Sequence, residues 1–270
     1  MKSILTALIA AWLMTNMILA QAANPPSMGV YIWNSEALLD PASQAAELAH
    51  LKRYGITDLY VGLNAQQAAV PTGTKMAIAS LMSAARSHGM QVSLLLGDPQ
   101  WILPKHRPTL LALIDVLADL RFKALLLDIE VEQLQTPDMD SRVRLWSQTL
   151  NQVQQHSKWP VITVSHWRWF ASEEHRPMCQ NVQGLQRASL MIYSTNLDVI
   201  RARMATAQEK CPETAFSLSQ SVETFLEPQE TWANKGSFSS IVNRLTHHLE
   251  GLPVRSIDWQ DWNSLKALSE

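Results

Sequence analysis

Two carboxylates close a buried strand in the middle of the chain, and they are its best candidates for proton-transfer chemistry. The run from residue 122 to 132 reads FKALLLDIEVE, in which Asp128 and Glu130 follow three leucines. Side chains two residues apart in a strand lie on the same face. Acidic residues are rarely placed on an inward face without a partner or a task. The spacing therefore indicates a general acid, although an acidic strand end without chemistry is the simpler alternative.

Glu130 is the expected proton donor of this pair. The like charge of Asp128 and an apolar environment should both raise the pKa of Glu130, which would keep its proton available near neutral pH. Glu132, two residues further on, is expected in a solvated loop. The elements that position these groups can be predicted from the rest of the chain.

The first 22 residues have the order of a secretory signal peptide: Lys2, an apolar run, then small residues. We therefore exclude 1–22 from the fold and expect 23–270 to form one domain in a periplasmic or secreted protein. An uncleaved membrane anchor is the alternative, but the apolar run is short for a bilayer and two polar residues interrupt it.

The charges of the chain argue against several partner classes. Lysine and arginine number 22 and aspartate and glutamate 24, and they are scattered along the sequence. No basic patch predicts nucleic-acid binding, and no polybasic stretch predicts an anionic membrane surface as partner. The ten tryptophans suit stacking on ring-shaped ligands. We expect no cofactor and a monomeric protein.

The two cysteines, Cys179 and Cys211, would reach an oxidising compartment if the signal peptide operates. A disulfide between them is plausible, and two buried free thiols are an equal alternative, because spacing alone does not give the distance between their Cα atoms. No Cys–His cluster predicts a structural zinc site.

Apolar runs alternate with amphipathic stretches about every 30 residues, and this pattern predicts a parallel α/β fold. Strands are expected at 28–33, 58–64, 91–98, 122–132, 160–166, 188–193, 215–220 and 254–259. Eight strands alternating with helices predict a single (β/α)8 TIM barrel. A doubly wound sheet is the alternative, but no glycine-rich phosphate loop follows the first strand.

The active site of such a barrel is built at the carboxyl ends of its strands. The polar and aromatic residues at these ends are Trp33, Asn64, Asp98, Trp101, Asp128, Glu130, His166, Trp167, Tyr193, Gln220, Glu223, Asp258 and Trp259. Carboxylates and amides bind hydroxyls, aromatic rings stack on sugars, and a carboxylic acid can protonate a glycosidic oxygen. The set predicts a site for an oligosaccharide or polysaccharide. Asp98 could instead cap the turn that begins at Pro99.

Three of these segments resemble the landmarks of the chitinase-like glycoside hydrolases, family 18. Asp128-Ile129-Glu130 is similar to their D-x-E motif, Met191-Ile192-Tyr193 to their M-x-Y motif, and Trp259 to their terminal tryptophan. The layout also resembles bacterial secreted barrels of unknown activity whose fourth strand ends in a hydrophobic-Asp-Ile/Val-Glu run. The chitinase resemblance implies that Glu130 protonates the glycosidic oxygen. Asp128 and Tyr193 would steady the N-acetyl group of the substrate, which acts as the nucleophile.

The chain departs from the chitinase pattern where leucines precede Asp128 and where Ser194 follows Tyr193, since the family has aspartates there. A second mechanism is that of clan A glycosidases, whose nucleophile ends the seventh strand. Here Glu223 would take that role, with Gln220 as its neighbour. A glycan-binding protein for export or assembly of an extracellular polysaccharide, without catalysis, and a metal-dependent hydrolase on the same barrel are further alternatives.

Overall fold

Eight parallel strands close into a barrel in the computed structural model, which describes residues 25–69, 71–171 and 178–270. Each strand pairs with its neighbours in the chain, and the eighth pairs with the first. The predicted (β/α)8 fold is confirmed, whereas the predicted signal peptide at 1–22 lies outside the described residues. The strands are β1 Ser27–Ile32, β2 Asp58–Gly62, β3 Gln91–Leu96, β4 Leu125–Leu127, β5 Val161–His166, β6 Arg187–Met191, β7 Phe216–Ser221 and β8 Val254–Gln260.

The helices run between the strands and cover the outside of the barrel. They are α1 Glu36–Leu39, α2 Gln44–Arg53, α3 Ala65–Ala69, α4 Pro71–Ser87, α5 Arg107–Leu117, α6 Met139–His156, α7 Arg168–Ala171, α8 Leu197–Lys210, α9 Phe238–His248 and α10 Trp262–Leu265. Single 3-10 turns lie at Pro99–Ile102, Val131–Gln133 and Cys179–Val182. The connection that leads into β6 contains the last of these turns, and Arg187 already belongs to the strand.

Local signals explain several helix ends. Gly55 follows α2 with a φ of 69°, a left-handed conformation that glycine adopts without steric cost and that ends many helices. At the start of α8, the side chain of Asn196 accepts hydrogen bonds from the backbone N–H groups of Asp198 and Val199 at 3.0 and 3.2 Å. Such caps satisfy donors that the first helical turn leaves free.

The barrel has two apolar layers. The larger one fills the space between strands and helices and includes Leu125, Leu127 and Ile129 from the strand that carries the acidic pair. The smaller layer lies inside the barrel and includes Tyr31, Tyr60, Leu95, Ala124, Leu126, Ile162, Val164 and Met191, with Tyr193 packed against it. Since Leu126 faces inward, Asp128 and Glu130 follow it on the inner face.

A hydrogen-bonded polar group also lies inside the barrel. The carboxylate of Asp258 accepts hydrogen bonds from the Tyr60 hydroxyl at 2.9 Å and from Ser189 Oγ at 2.8 Å, and Arg187 donates to the Tyr60 hydroxyl at 2.5 Å. These contacts compensate for the burial of a carboxylate and a guanidinium. The group fits because position 29 is glycine: a Cβ there would lie 2.6 Å from the Tyr60 ring and closer still to Asp258 Oδ1.

Cys179 and Cys211 form a disulfide, with their Cα atoms 5.4 Å apart. The bond ties the connection before β6 to the end of α8. It resolves the alternative that the sequence left open, and it is compatible with an extracellular protein. Within the described ranges, no helix is long and apolar enough to span a bilayer.

Candidate active site

Four ionisable side chains from three strand ends surround one place at the mouth of the barrel. Asp128 and Glu130 follow β4, Tyr193 follows β6, and Glu223 follows β7. The pKa of Tyr193 is raised well above its ordinary value by burial first, and further by the charges of Asp128, Tyr31, Glu223 and Glu130. The phenol is therefore a neutral hydrogen-bond donor with three carboxyl groups near it.

Asp128 is the most strongly perturbed of these carboxyl groups. Its side chain is 7% exposed, and the pKa is raised to about 8 by burial first and then by the charge of Glu130. A hydrogen bond from the Gln260 side chain lowers the pKa in part. Asp128 Oδ1 has no partner in the described residues. Asp128 therefore carries a proton near neutral pH and keeps one oxygen for a ligand.

Glu130 is half-buried and accepts a hydrogen bond from Gln133 Nε2 at 2.6 Å. Burial raises its pKa first and the charge of Glu132 second, whereas the Gln133 bond lowers it. The sequence analysis expected an apolar environment and the charge of Asp128 to raise this pKa. Burial does raise it, whereas the like-charge effect between the two carboxyl groups acts on Asp128. The expectation that Glu132 is solvated was wrong, because its carboxylate is half-buried and accepts from Trp169 Nε1 at 2.5 Å.

Glu223 lies on the β7 side of the same mouth. Ser221 Oγ donates to its carboxylate at 2.9 Å and accepts from its backbone N–H at 3.1 Å, so the serine fixes the start of this loop. Burial raises the pKa of Glu223, and the charge of Asp261 raises it slightly further. A half-buried carboxylate held by a hydroxyl could serve as a nucleophile or as an electrostatic partner.

A second region of the mouth, at the ends of the first three strands, is an open cavity of about 650 Å³. It is lined by Trp33, Asn64, Asp98 and Trp101, all predicted from the sequence, together with aliphatic residues of β3 and α5. The Trp33 ring is 37% exposed and lies against Gly97, where any Cβ would come within 2.8 Å of the ring. Ligand cavities of this size are commonly apolar with a few polar groups.

Two polar residues of that cavity also have local structural roles. Asp98 Oδ1 accepts from the backbone N–H of Gln100 at 2.8 Å, which makes Asp98 the cap of the 3-10 turn. Asn64 Oδ1 accepts from the backbone N–H of Gln67 at 2.8 Å. The turn-capping alternative for Asp98 is thus confirmed, and its second carboxylate oxygen is not part of that bond.

His166 and Trp167 lie on the opposite side of the mouth, at the end of β5. His166 Nδ1 accepts from the backbone N–H and the Nε of Arg168 at 3.2 and 3.1 Å. Burial first, then the charges of Arg168 and Arg203, lower the pKa of His166 to about 4. The ring of Trp167 lies under Arg203, whose Cζ is 3.8 Å from the ring centroid. One face of the Trp167 ring is therefore covered by the Arg203 guanidinium in a cation–π contact.

Three predicted site residues do not reach the mouth. Gln220 is fully buried on the outer face of β7, where its amide donates to the Ile192 carbonyl and accepts from Trp232 Nε1, each at 2.6 Å. Trp259 is fully buried behind β8 and packs against Phe238, with ring centroids 5.0 Å apart. Asp258 does face inward, but it is sealed in the polar group with Tyr60 and Ser189. Gln220 and Trp259 do not reach the mouth because their side chains lie on the outer face of their strands, opposite to the face predicted.

Gln260 is the site residue that the sequence analysis missed. It stands two residues after Asp258 on β8, so the period-two rule that pairs Asp128 with Glu130 also places Gln260 on the inner face. Its side chain lowers the pKa of Asp128, against the effect of burial. In the described part of the chain, no three His, Cys, Asp or Glu side chains form a group that could hold a metal ion.

Solved structures with the same barrel fold include several glycoside hydrolases. No protein-family model matches the chain, and no curated protein matches its sequence. Among solved structures, GH5_18 from Streptomyces cattleya in complex with GlcNAc has a TM-score of 0.59 at 14% identity, over 89% of this chain and 71% of that one. An endo-beta-N-acetylglucosaminidase from Cordyceps militaris has a TM-score of 0.55 at 12% identity, over 87% and 81%.

The same barrel also occurs with other chemistry. A sugar phosphate isomerase/epimerase from Parabacteroides distasonis has a TM-score of 0.52 at 10% identity, over 87% of this chain and 97% of that one. At such identities a likeness establishes a shared fold, so the activity of this chain must be argued from its own side chains.

Proposed function

We propose that this protein is a secreted or periplasmic glycoside hydrolase that acts on a polysaccharide, with Glu130 as the proton donor. The observation that carries the proposal is the gathering of three carboxyl groups with raised pKa values around the Tyr193 hydroxyl. Cleavage of a glycosidic bond requires a carboxylic acid that is still protonated near neutral pH. Burial at the strand end raises the pKa of Glu130, which favours its protonated form.

Glu130 is assigned the donor role because it is the more accessible member of the pair. Its carboxyl group delivers the proton to the leaving oxygen and becomes a carboxylate. Asp128, with a pKa of about 8, is then neutral beside it, so the new charge meets no like charge from that neighbour. In water-poor surroundings the absence of this repulsion lowers the energy of the transition state.

Asp128 and Tyr193 are assigned to the substrate rather than to the leaving group. Asp128 Oδ1 has no partner in the described residues, and the Tyr193 phenol is neutral. A carboxyl and a hydroxyl of this kind can hold the amide of an N-acetyl group, as the resemblance to the family 18 hydrolases implies. The reaction would then be assisted by the substrate, whose own carbonyl oxygen attacks the anomeric carbon.

A second mechanism would use Glu223, which lies at the same mouth of the barrel. Its carboxylate is half-buried, held by Ser221, and close enough to influence Tyr193. A retaining mechanism would use Glu223 as the nucleophile that forms a glycosyl-enzyme intermediate. The aromatic cavity at the ends of β1 to β3 would bind further sugar units through Trp33 and Trp101 in either mechanism.

The direct test measures released reducing ends from a panel of polysaccharides and chitooligosaccharides. We expect cleavage by the wild-type protein and a loss of about 10²- to 10⁴-fold in kcat with Glu130→Gln, the range for removal of a general acid. Glu209→Gln is the matched control, since Glu209 is an exposed carboxylate on α8. It should retain most activity.

The variant Glu223→Gln separates the two mechanisms. Under substrate assistance it changes kcat little, and a thiazoline mimic of the cyclised N-acetyl group inhibits the enzyme. Under the retaining mechanism it abolishes activity, and added azide restores turnover by replacing the lost nucleophile. Binding of glycans without any released reducing ends, unaltered by Glu130→Gln, would identify a non-catalytic glycan-binding protein and end the hydrolase proposal.

A further inference from the structure

Two arginines lie at the β5 side of the mouth. Arg168 begins α7, and its guanidinium donates to His166 Nδ1 at 3.1 Å. Arg203 lies on α8, with its Cζ 3.8 Å above the Trp167 ring. In the ranges 25–69, 71–171 and 178–270, neither forms a salt bridge with a carboxylate. We call Arg168, Arg203 and His166 the arginine corner.

The arginine corner adjoins the proposed proton donor. His166 and Glu130 line the same small recess at the ends of β4 and β5. Glu132 also lines it, but this carboxylate is bonded to Trp169, and the Glu130 carboxyl is bonded to Gln133. The acidic side chains of the recess therefore have other hydrogen-bond partners than the arginines.

The histidine contributes a donor of defined position. Since Nδ1 accepts both bonds from Arg168, the neutral ring carries its hydrogen on Nε2. Both arginine charges act on this ring, and the His166 and Trp167 rings that they contact lie 5.5 Å apart at their centroids. Burial lowers the pKa of Arg203, because a partly desolvated cation is less stable. An anion bound here would compensate the charge of the two arginines.

We propose that the arginine corner binds the carboxylate of a uronic acid residue next to the linkage that is cleaved, so that the substrate is an acidic glycan. The proposal rests on the proposed function and adds the class of substrate to it. The planar fork of a guanidinium matches a carboxylate with two parallel hydrogen bonds, which a neutral hydroxymethyl group does not accept in the same way. The Trp167 ring holds the Arg203 side chain in place for this contact.

The test compares binding of acidic glycans with that of their neutral counterparts. Oligosaccharides from hyaluronan, alginate and polygalacturonate are used as free acids and after reduction of their carboxyl groups to alcohols. Titration calorimetry should give at least about tenfold tighter binding of the free acid for the glycan that binds, in keeping with charge-assisted hydrogen bonds. Arg168→Gln and Arg203→Met should each bring this ratio close to one.

Arg244→Met is the matched control, because Arg244 also lies over a tryptophan ring, that of Trp232, at 5.3 Å from its centroid and on α9. This variant should keep the wild-type ratio. Equal binding of both forms, no binding of any free acid, or a preference that survives both corner variants would each overturn the inference.

Cleavage of neutral chitooligosaccharides by the same variants separates this inference from the proposed function. Cleavage without a preference for acidic glycans would support the proposed hydrolase and contradict the proposed role of the arginine corner. A preference for acidic glycans without cleavage of any panel member would support the role of the arginine corner and contradict the proposed hydrolase.

Discussion

The side chain of Gln260 at the end of β8 acts on the carboxyl group of Asp128 at the end of β4 and lowers its pKa. These strands stand on opposite sides of the eight-stranded ring. The interaction therefore crosses the mouth, and it is the influence on Asp128 that favours the charged form, against burial and the charge of Glu130. Two glutamines act alike in this site, since Gln133 has the same effect on Glu130.

Replacing Gln260 or Gln133 by leucine should raise the pKa of the carboxyl group that it acts on and leave the pKa of the other carboxyl group unchanged. Gln260→Leu removes the amide that favours ionised Asp128, so we expect the pKa of Asp128 to rise above about 8. Gln133→Leu should instead raise the pKa of Glu130. Carbon-13 NMR titration of the carboxyl groups measures both. Each variant is the control for the other, and a shift of both pKa values in both variants would contradict separate bonds.

Stability should fall as the pH rises, because Asp128 resists ionisation in the folded chain. Its pKa is about 8 when folded and near 3.8 otherwise. Between these values the folded state holds a proton that the unfolded state has lost, so the free energy of unfolding decreases with pH. The slope from this residue is at most about 1.4 kcal/mol per pH unit.

The variant Asp128→Asn should flatten that slope, because an amide does not ionise. Urea unfolding of both proteins at several pH values from 5 to 8 measures the effect. Glu130 and Glu223 also have raised pKa values, so a smaller slope of the same sign remains in the variant. Parallel curves for the two proteins would refute the assignment of a protonated Asp128.

Gly29→Ala should destabilise the barrel from within. The added Cβ would meet the Tyr60 ring and the Asp258 carboxylate, both of which are fixed by hydrogen bonds. Overpacking of this kind typically costs about 1–3 kcal/mol, and loss of a bond to a buried carboxylate adds to it. Thermal and urea unfolding measure the loss. Gly73→Ala in α4 is the control and should be neutral or slightly stabilising, because Gly73 is an exposed helical residue.

Removing the disulfide should lower stability without altering the site. Cys179 and Cys211 are 32 residues apart, and closing a loop of that length in the unfolded chain is worth roughly 3–4 kcal/mol. Cys179→Ala combined with Cys211→Ala should therefore unfold at a markedly lower urea concentration than the oxidised wild type. The reduced wild-type protein serves as control and should behave like the double variant. Equal stability with and without the bond would be the contrary result.

The strand pattern was predictable because each strand is a run of buried residues between turn signals. β5 was expected at 160–166 and spans Val161–His166, and β7 was expected at 215–220 and spans Phe216–Ser221. The acidic pair after β4 and the aromatic pair Trp33 and Trp101 were found in the same way, because strand ends meet at the mouth of any such barrel.

The inward or outward direction of a side chain was less predictable. β7 is buried on both faces, so its burial pattern does not distinguish Gln220 from the neighbouring serines. Gln220 is satisfied by partners that are distant in sequence, the carbonyl of Ile192 and the indole of Trp232. The effect of Gln260 on Asp128 likewise depends on closure of the barrel, which no local sequence pattern encodes.

The glycine at position 29 and the carboxylate of Asp258 occupy one volume, although 229 positions separate them along the chain. Substitutions at positions 29 and 258 should therefore be correlated among related proteins. Relatives with aspartate at position 258 are expected to keep glycine at position 29. Relatives with a smaller residue at position 258 can carry a side chain at position 29. The first and last strands of this barrel thus constrain each other's evolution through a single missing methyl group.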